Sequence, residues 1–285
     1  MFCTHCIHYV PHDAAAVTVT VAAPYLLTLP EPPNAFNIIV AVSFGLKVPQ
    51  RLLDLPIYGG INVHPSLLPS YRGAAPIYHV LLDARPFTGV TIQTLHPTRF
   101  DHGAILMQSS EVPIARGTSY QELHDSLAVL GAHMLVHACR SRLFERPYKP
   151  VESPYPPSKA PKIDPEVHSR VRWAEQTAQE VERYCGVLST VWCRLGPVDY
   201  IDRRKRAILT QLSSLGEDAV DPQNSAKPGE WKFHKPDNGE GALVIKCKCG
   251  WVQVDGIKIE GKRLTRGGEW ARSMAASNQG PKVFT

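Results

Sequence analysis

Short apolar runs alternate with polar turns along the first half of the chain. Residues 37–43 (NIIVAVS) are mostly apolar, which is typical of a strand buried on both faces of a parallel sheet. By similar criteria, strands are predicted over residues 37–43, 57–64, 89–95 and 104–112. Apolar residues at helical spacing predict helices over residues 49–55, 73–84 and 119–142. This alternation predicts an α/β fold, whose sites lie beyond the carboxyl ends of the strands.

Two local signals add detail to this pattern. Ser119 and Glu122 have the spacing of a capping box, so Ser119 is predicted as the N-cap of the long helix. Val and Thr alternate over residues 17–21, which is compatible with a strand near the start of the chain.

Seven prolines between residues 147 and 165 predict an extended, semi-rigid linker. Beyond it, one helix is predicted over residues 173–184. Short strands are predicted over residues 188–195, 206–212, 242–246, 250–254 and 257–260, which favours a small β-barrel or sandwich. The chain therefore divides into an N-terminal segment, a first domain, a linker and a second domain, with bounds 1–36, 37–146, 147–165 and 166–285.

Composition supports a folded, soluble protein. The 285 residues are 44% hydrophobic and 20% charged, too apolar for a disordered chain. No apolar run is long enough to span a membrane, and seven scattered cysteines favour a reducing compartment. Residues 1–158 carry 10 basic and 10 acidic side chains, whereas residues 159–285 carry 21 and 16. The formal charge of +5 thus lies in the second half, which favours contact with a polyanion there; the alternative is a surface charge that serves only solubility.

Residues 60–76 (GINVHPSLLPSYRGAAP) contain the clearest candidate chemistry. Asn62 and His64 are two apart at the predicted end of a strand, so their side chains share a face. Asp101 lies in a polar turn predicted at the same sheet edge. An amide that stabilises an oxyanion, an imidazole that handles protons and a carboxylate that orients the imidazole suit acyl transfer to an amine. The alternative is that these are ordinary turn residues, since their placement at strand ends is the only support.

The segment NVHPSLLPSYRGAAPI resembles the signature of the folate-dependent formyltransferases, and within them of those that act on methionyl-tRNA. Similarity extends over roughly residues 37–272, including TGVTIQTLHPTRFDHGAILMQ and GWVQVDGIKIEGKRLTRGGEW. The resemblance implies a Rossmann-like formyltransferase domain followed by a small OB-like β-barrel domain. It also implies transfer of a formyl group from 10-formyltetrahydrofolate to the amino group of initiator methionyl-tRNA.

The resemblance also implies roles for individual residues. Asn62, His64 and Asp101 match the catalytic trio of the family, and Ser66, Leu67, Leu68 and Pro69 match the loop against the folate. The basic second domain would hold the tRNA, with candidate phosphate contacts at Arg203, Arg204, Lys205, Arg206, Lys262, Arg263 and Arg266. The partners expected are folate and tRNA, with no membrane, and the protein is expected to be a monomer.

Residues 1–36 depart from the family pattern. They reproduce neither its opening strand, Gly-containing loop and helix nor its insertion that grips the acceptor stem. We expect a shortened or mis-spliced form of a longer protein, in which the edge of the strand over 37–43 is exposed. Whether such a chain keeps its activity is open at this point.

Three further expectations complete the sequence interpretation. No metal is expected, because Cys3, Cys6, His8 and His12 lack a second CxxC pair at zinc-site spacing. The mitochondrial matrix is the expected compartment, with the cytoplasm as the alternative. Two other functions stay open: a formyltransferase that acts on a purine precursor or a nucleotide sugar, or a truncated, inactive protein that binds folate or tRNA.

Overall fold

The computed structural model describes residues 19–21, 37–196, 205–221, 223, 225–235, 240–277 and 283–285. The chain divides into two compact units, with the boundary between Lys162 and Ile163. In the first unit the elements are β1 (Val19–Val21), β2 (Ile38–Val42), α1 (Gln50–Leu53), β3 (Gly60–His64), α2 (Pro76–Leu82), β4 (Phe87–Thr88), β5 (Thr91–Thr94), β6 (Ile105–Gln108), β7 (Val112–Pro113) and α3 (Tyr120–Arg140).

Five strands of the first unit form one sheet in the order β1-β2-β3-β5-β6. The pairs β1–β2 and β2–β3 are parallel, and the pairs β3–β5 and β5–β6 are antiparallel. Strands β4 and β7 form a separate antiparallel pair. The predicted Rossmann-like α/β class is confirmed, with the difference that the sheet is mixed.

The edge of β2 is covered, which corrects the expectation that it is exposed. Val19–Val21 pairs in parallel with Ile38–Val40. Residues 19–21 of the predicted Val and Thr alternation are therefore part of the sheet, and they satisfy backbone groups that an edge strand would leave open.

Helix α3 packs across the sheet and begins where the capping box predicts. The Ser119 hydroxyl accepts a hydrogen bond from the Glu122 N–H, and the Glu122 carboxylate accepts one from the Ser119 N–H. A Cβ at Gly131 would lie 2.9 Å from Val63 Cγ1, so the glycine allows the helix to approach β3 closely. The short helix α1 ends at Leu53, and Leu55, which lies within the predicted helix 49–55, follows it and is 49% exposed.

The second unit contains α4 (Pro165–His168), α5 (Ala178–Leu188), β8 (Val191–Arg194), β9 (Arg206–Leu215), β10 (Trp231–His234), β11 (Ala242–Lys246), β12 (Trp251–Ile259), β13 (Leu264–Arg266) and α6 (Gly267–Ser277). Six strands form an antiparallel sheet in the order β10-β11-β12-β9-β8, with β13 on β12. Val283 and Phe284 form single bridges to Glu230 and Leu195, beside the outer strands. Among the described residues, no regular strand closes this sheet into the predicted barrel.

Helix α5 begins later than predicted. Thr177 and Glu180 form a capping box that starts the helix at Ala178, while Trp173, predicted to be helical, is buried in the core. The strands predicted over 250–254 and 257–260 form one continuous strand, β12. Strand β10 and helix α6 were not predicted, because neither shows a clear hydrophobic period.

Candidate active site

Strand β3 presents Asn62 and His64 on one face, since they lie two residues apart. His64 is 4% exposed, whereas Asn62 is half-buried. In the antiparallel register with β5, Asn62 lies opposite Gln93 and His64 lies opposite Thr91. The Asn62 side chain forms no hydrogen bond with the part of the chain that the structure describes, so its amide is available to a ligand.

Asp101 is held in a constrained turn. Its backbone adopts a left-handed φ of 55°, and its backbone carbonyl accepts a hydrogen bond from Arg72 Nε at 2.8 Å. The backbone N–H of Gly73 donates to Oδ2 at 2.8 Å, and Gln93 Nε2 donates to Oδ1 at 2.7 Å. Two donors on different oxygens therefore fix the plane of the carboxylate.

The His64 ring lies between two acceptors. Nδ1 is 3.4 Å from Asp101 Oδ1, and Nε2 is 3.0 Å from the carbonyl oxygen of Tyr71. A neutral imidazole has one N–H, so it donates to only one of them, whereas an imidazolium donates to both. Burial lowers the pKa of His64, while the Asp101 charge and the Tyr71 carbonyl oppose that effect. Desolvation thus favours the neutral ring, while an acceptor at each ring nitrogen is in place to stabilise the imidazolium.

The backbone of the loop over residues 66–69 is held by hydrogen bonds to other residues of the first unit. Thr91 Oγ1 donates to the carbonyl of Ser66 at 2.7 Å and accepts from the N–H of Leu68 at 3.1 Å. The Leu67 and Leu68 side chains are buried in the unit, and Pro69 is half-buried after a cis peptide bond. A ligand at this loop would meet mainly its backbone and Pro69, because most of its polar groups are already paired.

Residues 156–161, within the predicted linker, pack along the chain between Pro69 and Ala75. Arg72 and Lys159 form a bridge, and the N–H of Ala160 donates to the carbonyl of Arg72 at 2.7 Å. A Cβ at Gly73, whose φ is 128°, would lie 2.4 Å from the carbonyl oxygen of Ala160. This close packing holds the Gly73 N–H that supports Asp101.

Sequence reasoning missed Gln93 and Thr91, which build the site from β5. Both are buried polar residues that flank the apolar Ile92. The signal that was available is their alternation: the inward-facing positions of this strand carry polar side chains opposite Asn62 and His64. This alternation points to a site only when β5 is known to pair with β3, and the order of the strands in the sequence does not establish that pairing.

The basic residues predicted in the second unit fall into separate groups. Arg203 and Arg204 lie outside the described residues, and Lys205 is exposed. The Arg206 guanidinium lies 4.2 Å from the centre of the Trp192 ring, which Arg170 and Arg194 also approach, at 5.6 and 5.7 Å. Arg206 also pairs with the carboxylate of Glu166.

The second group lies around β13. The side chains of Lys262, Arg263 and Arg266 are exposed there, and Arg266 is 3.8 Å from Glu240. Arg170 and Arg194, which the sequence interpretation did not include, therefore join the basic candidates of the first group.

Comparison with known proteins shows the family of the chain. Residues 13–139 match the formyl transferase family, starting within the segment where the sequence interpretation found no counterpart. Methionyl-tRNA formyltransferase of Moorella thermoacetica is 38% identical over 228 residues, which cover 80% of this chain and 68% of that protein. The chain belongs to the methionyl-tRNA formyltransferase family. Mitochondrial members from Saccharomyces cerevisiae and Homo sapiens are 33% and 31% identical and cover 82% and 81% of this chain.

The chain spans 63% of the length of the yeast formyltransferase and 58% of the human one. Among solved structures, HypX from Aquifex aeolicus in complex with tetrahydrofolic acid has a TM-score of 0.52 at 17% identity, covering 87% of this chain and 40% of HypX. That likeness supports the fold.

Two features are absent from the described residues. No helix in the described part of the chain is long and apolar enough to cross a membrane. Within the same residues, no three His, Cys, Asp or Glu side chains form a group that could hold a metal ion. The candidate ligands Cys3, Cys6, His8 and His12 lie outside the described residues.

Proposed function

We propose that the chain transfers a formyl group from 10-formyltetrahydrofolate to the amino group of methionyl-tRNA, for translation initiation. The observation that carries this proposal is the buried contact between His64 and Asp101 beside the free amide of Asn62. Relatives named methionyl-tRNA formyltransferase support the choice of substrates.

The proposed reaction is direct aminolysis. The neutral amine attacks the formyl carbon, a new C–N bond forms, and the bond from that carbon to the folate nitrogen breaks. One proton leaves the amine and one reaches the departing nitrogen. No nucleophilic side chain is required, because the substrate itself supplies the nucleophile.

His64 and Asn62 act on the charge that develops on the formyl oxygen. The Asn62 amide donates one hydrogen bond to it, and the Nε2–H of the His64 imidazolium donates a second after leaving the carbonyl of Tyr71, while Asp101 stabilises the imidazolium from the Nδ1 side. Burial lowers the pKa of His64 in the free protein. Negative charge that develops on the formyl oxygen favours the imidazolium and opposes the effect of desolvation on the pKa of His64. His64 therefore takes up its second proton as the tetrahedral oxyanion forms.

The loop over Ser66, Leu67, Leu68 and Pro69 is proposed to contact the folate. Its backbone is held by Thr91 and by Gln108, whose Nε2 donates to the Leu68 carbonyl at 2.6 Å. A loop that is already rigid loses little conformational entropy on binding, which favours affinity.

The second unit is proposed to bind tRNA through an OB-like arrangement of its strands. The Arg170, Arg194 and Arg206 side chains gather around Trp192, and the positive charge clustered there suits phosphate groups. Lys205, Lys262, Arg263 and Arg266 are exposed and can add contacts, and Arg203 and Arg204 keep the same proposed role. We further propose that the protein acts as a monomer in the mitochondrial matrix, as the mitochondrial relatives suggest; the bacterial relatives support the cytoplasm instead.

An acceptor comparison tests this function. The purified chain is given 10-formyltetrahydrofolate labelled in the formyl group and, in separate reactions, methionyl-tRNA, an amino nucleotide sugar and a ribonucleotide purine precursor with a free amine. Transfer to methionyl-tRNA is the expected result, and preferred transfer to either other acceptor would replace the proposal. Folate binding without transfer to any acceptor would favour the inactive binding protein. The variant His133→Asn, at an exposed position of α3, serves as a control.

A further inference from the structure

Gln93 is a polar side chain buried where an apolar one would fit. It is 2% exposed on β5, between the inward-facing Thr91 and the end of the strand. Its amide oxygen Oε1 has no hydrogen-bond partner among the described residues. An unpaired buried acceptor destabilises the folded state, and a methionine of similar volume would avoid that loss. A glutamine at this position therefore needs a reason other than packing.

The contact with Asp101 supplies that reason. Gln93 Nε2 donates to Asp101 Oδ1 at 2.7 Å, and the same oxygen lies 3.4 Å from His64 Nδ1. The orientation of the amide follows from the chemistry, because only the NH₂ end donates to a carboxylate. Gln93 and His64 thus share one carboxylate oxygen, and the hydrogen bond from Gln93 weakens that oxygen as an acceptor for His64.

We propose that Gln93 is a positioning residue, which holds the Asp101 carboxylate in place and limits how strongly its Oδ1 atom engages His64. Gly73 fixes Oδ2 from the backbone, and Gln93 fixes Oδ1 from a side chain. With both donors present, the carboxylate keeps one plane and one distance from the imidazole. The free Oε1 stays available for a donor that a bound substrate brings.

The groups that face His64 are few, which makes the effect of Gln93 measurable. The ionised side chain that acts on the ring is Asp101, and the guanidinium of Arg72 bonds the backbone carbonyl of Asp101. The carbonyl of Tyr71 and the side chain of Thr91 are uncharged neighbours. Removal of the Gln93 donor therefore changes His64 through the carboxylate.

NMR titration of the His64 imidazole in the full chain tests this proposal, with the resonance assigned by its loss in His64→Asn. In Gln93→Met, Oδ1 accepts only from His64, so the pKa of His64 is expected to rise above that of the wild type. Gln93→Leu removes the same donor without adding a charge, and the same rise is expected. Gln108→Met is the matched control, because it removes a glutamine donor from neighbouring β6 that does not contact Asp101.

An unchanged or lowered pKa of His64 in Gln93→Met overturns the proposal, and Gln93→Leu decides it in the same way if the Met variant does not fold. The kinetic consequence rests on the proposed formyl transfer: the pH profile of kcat in Gln93→Met moves in the same direction as the titration. If the wild-type chain transfers no formyl group, the proposed function fails while the titration still decides the role of Gln93.

Discussion

His64 Nδ1 lies 3.4 Å from Asp101 Oδ1, and both side chains are nearly excluded from solvent. The contact joins a residue at the end of β3 to one in a turn whose left-handed backbone is held by Arg72 and Gly73. The imidazole meets an acceptor at each ring nitrogen, and burial keeps the ring from charging freely. Protonation of His64 would therefore be stabilised by both acceptors once a substrate carries negative charge beside the ring.

Stability is expected to fall as the pH drops below about 6.5, the usual pKa of histidine. Because burial lowers the pKa of His64 in the folded state, the unfolded chain binds a proton there first. Between the two pKa values the free energy of unfolding therefore decreases as pH decreases, by at most about 1.4 kcal/mol per pH unit. Urea unfolding at about pH 7.5, 6.5 and 5.5 measures the slope of the free energy of unfolding against pH.

The variant His64→Asn is the comparison for that slope. It should show a flatter dependence over the same interval, whereas His133→Asn, at an exposed site, should match the wild type. Equal slopes for wild type and His64→Asn would show that His64 does not titrate as described.

Gly73→Ala is expected to destabilise the first unit by at least about 3 kcal/mol, the upper end of the cost of backbone strain. The added Cβ meets the Ala160 carbonyl oxygen at 2.4 Å, and the backbone has a φ of 128°. Gly117→Ala is the matched control, because its φ is 84° but no atom lies within 4 Å of the added Cβ. Its cost should be about 1–2 kcal/mol, from the left-handed backbone alone. Denaturant midpoints that are equal for the two variants would contradict the close packing of residues 156–161.

Thr91→Val is expected to cost about 1–3 kcal/mol, because it leaves the buried N–H of Leu68 and the carbonyl of Ser66 without their partner. The loop should then bind folate more weakly, since binding has to order it. Thr88→Val serves as the control, because the Thr88 hydroxyl forms no hydrogen bond with the described residues. Calorimetry gives the folate affinity and the melting temperature of each variant, and equal affinities for wild type and Thr91→Val would remove Thr91 from this role.

Arg170→Gln is expected to weaken tRNA binding uniformly across tRNA sequences. If Arg170 contacts a phosphate, the slope of log K against log salt should become shallower by about one for the lost contact. Lys248→Gln removes an exposed charge elsewhere in the same unit and should leave both values unchanged. Filter binding at several salt concentrations measures the slope, and a result in which both variants behave alike would argue against a specific surface around Trp192.

Local signals in the sequence, such as a capping box or a short apolar run, predict individual helices and strands well. The Ser119–Glu122 capping box started α3 correctly, and the apolar run at 37–43 gave β2. The predicted start of α5 is wrong, because the buried Trp173 resembles a helical position, whereas the Thr177–Glu180 cap sets the start of the helix. The mixed sheet was missed because strand direction depends on long-range pairing.

The same limit explains the site. Asn62 and His64 follow from strand period, but the donors that fix Asp101 come from Gly73 and Gln93, which are distant in sequence. Their contribution depends on the pairing of β3 with β5 and on the close approach of Ala160 to Gly73. Neither is encoded in a local pattern.

Single-turnover formylation of methionyl-tRNA by wild type and His64→Asn, with folate affinity measured in parallel, tests the central claim most directly. The account predicts transfer by the wild type, a loss of about 10²–10⁴-fold in rate for the variant, and a folate affinity that is nearly unchanged. Turnover by His64→Asn close to that of the wild type would contradict the account, because the buried imidazole would then have no part in the chemistry.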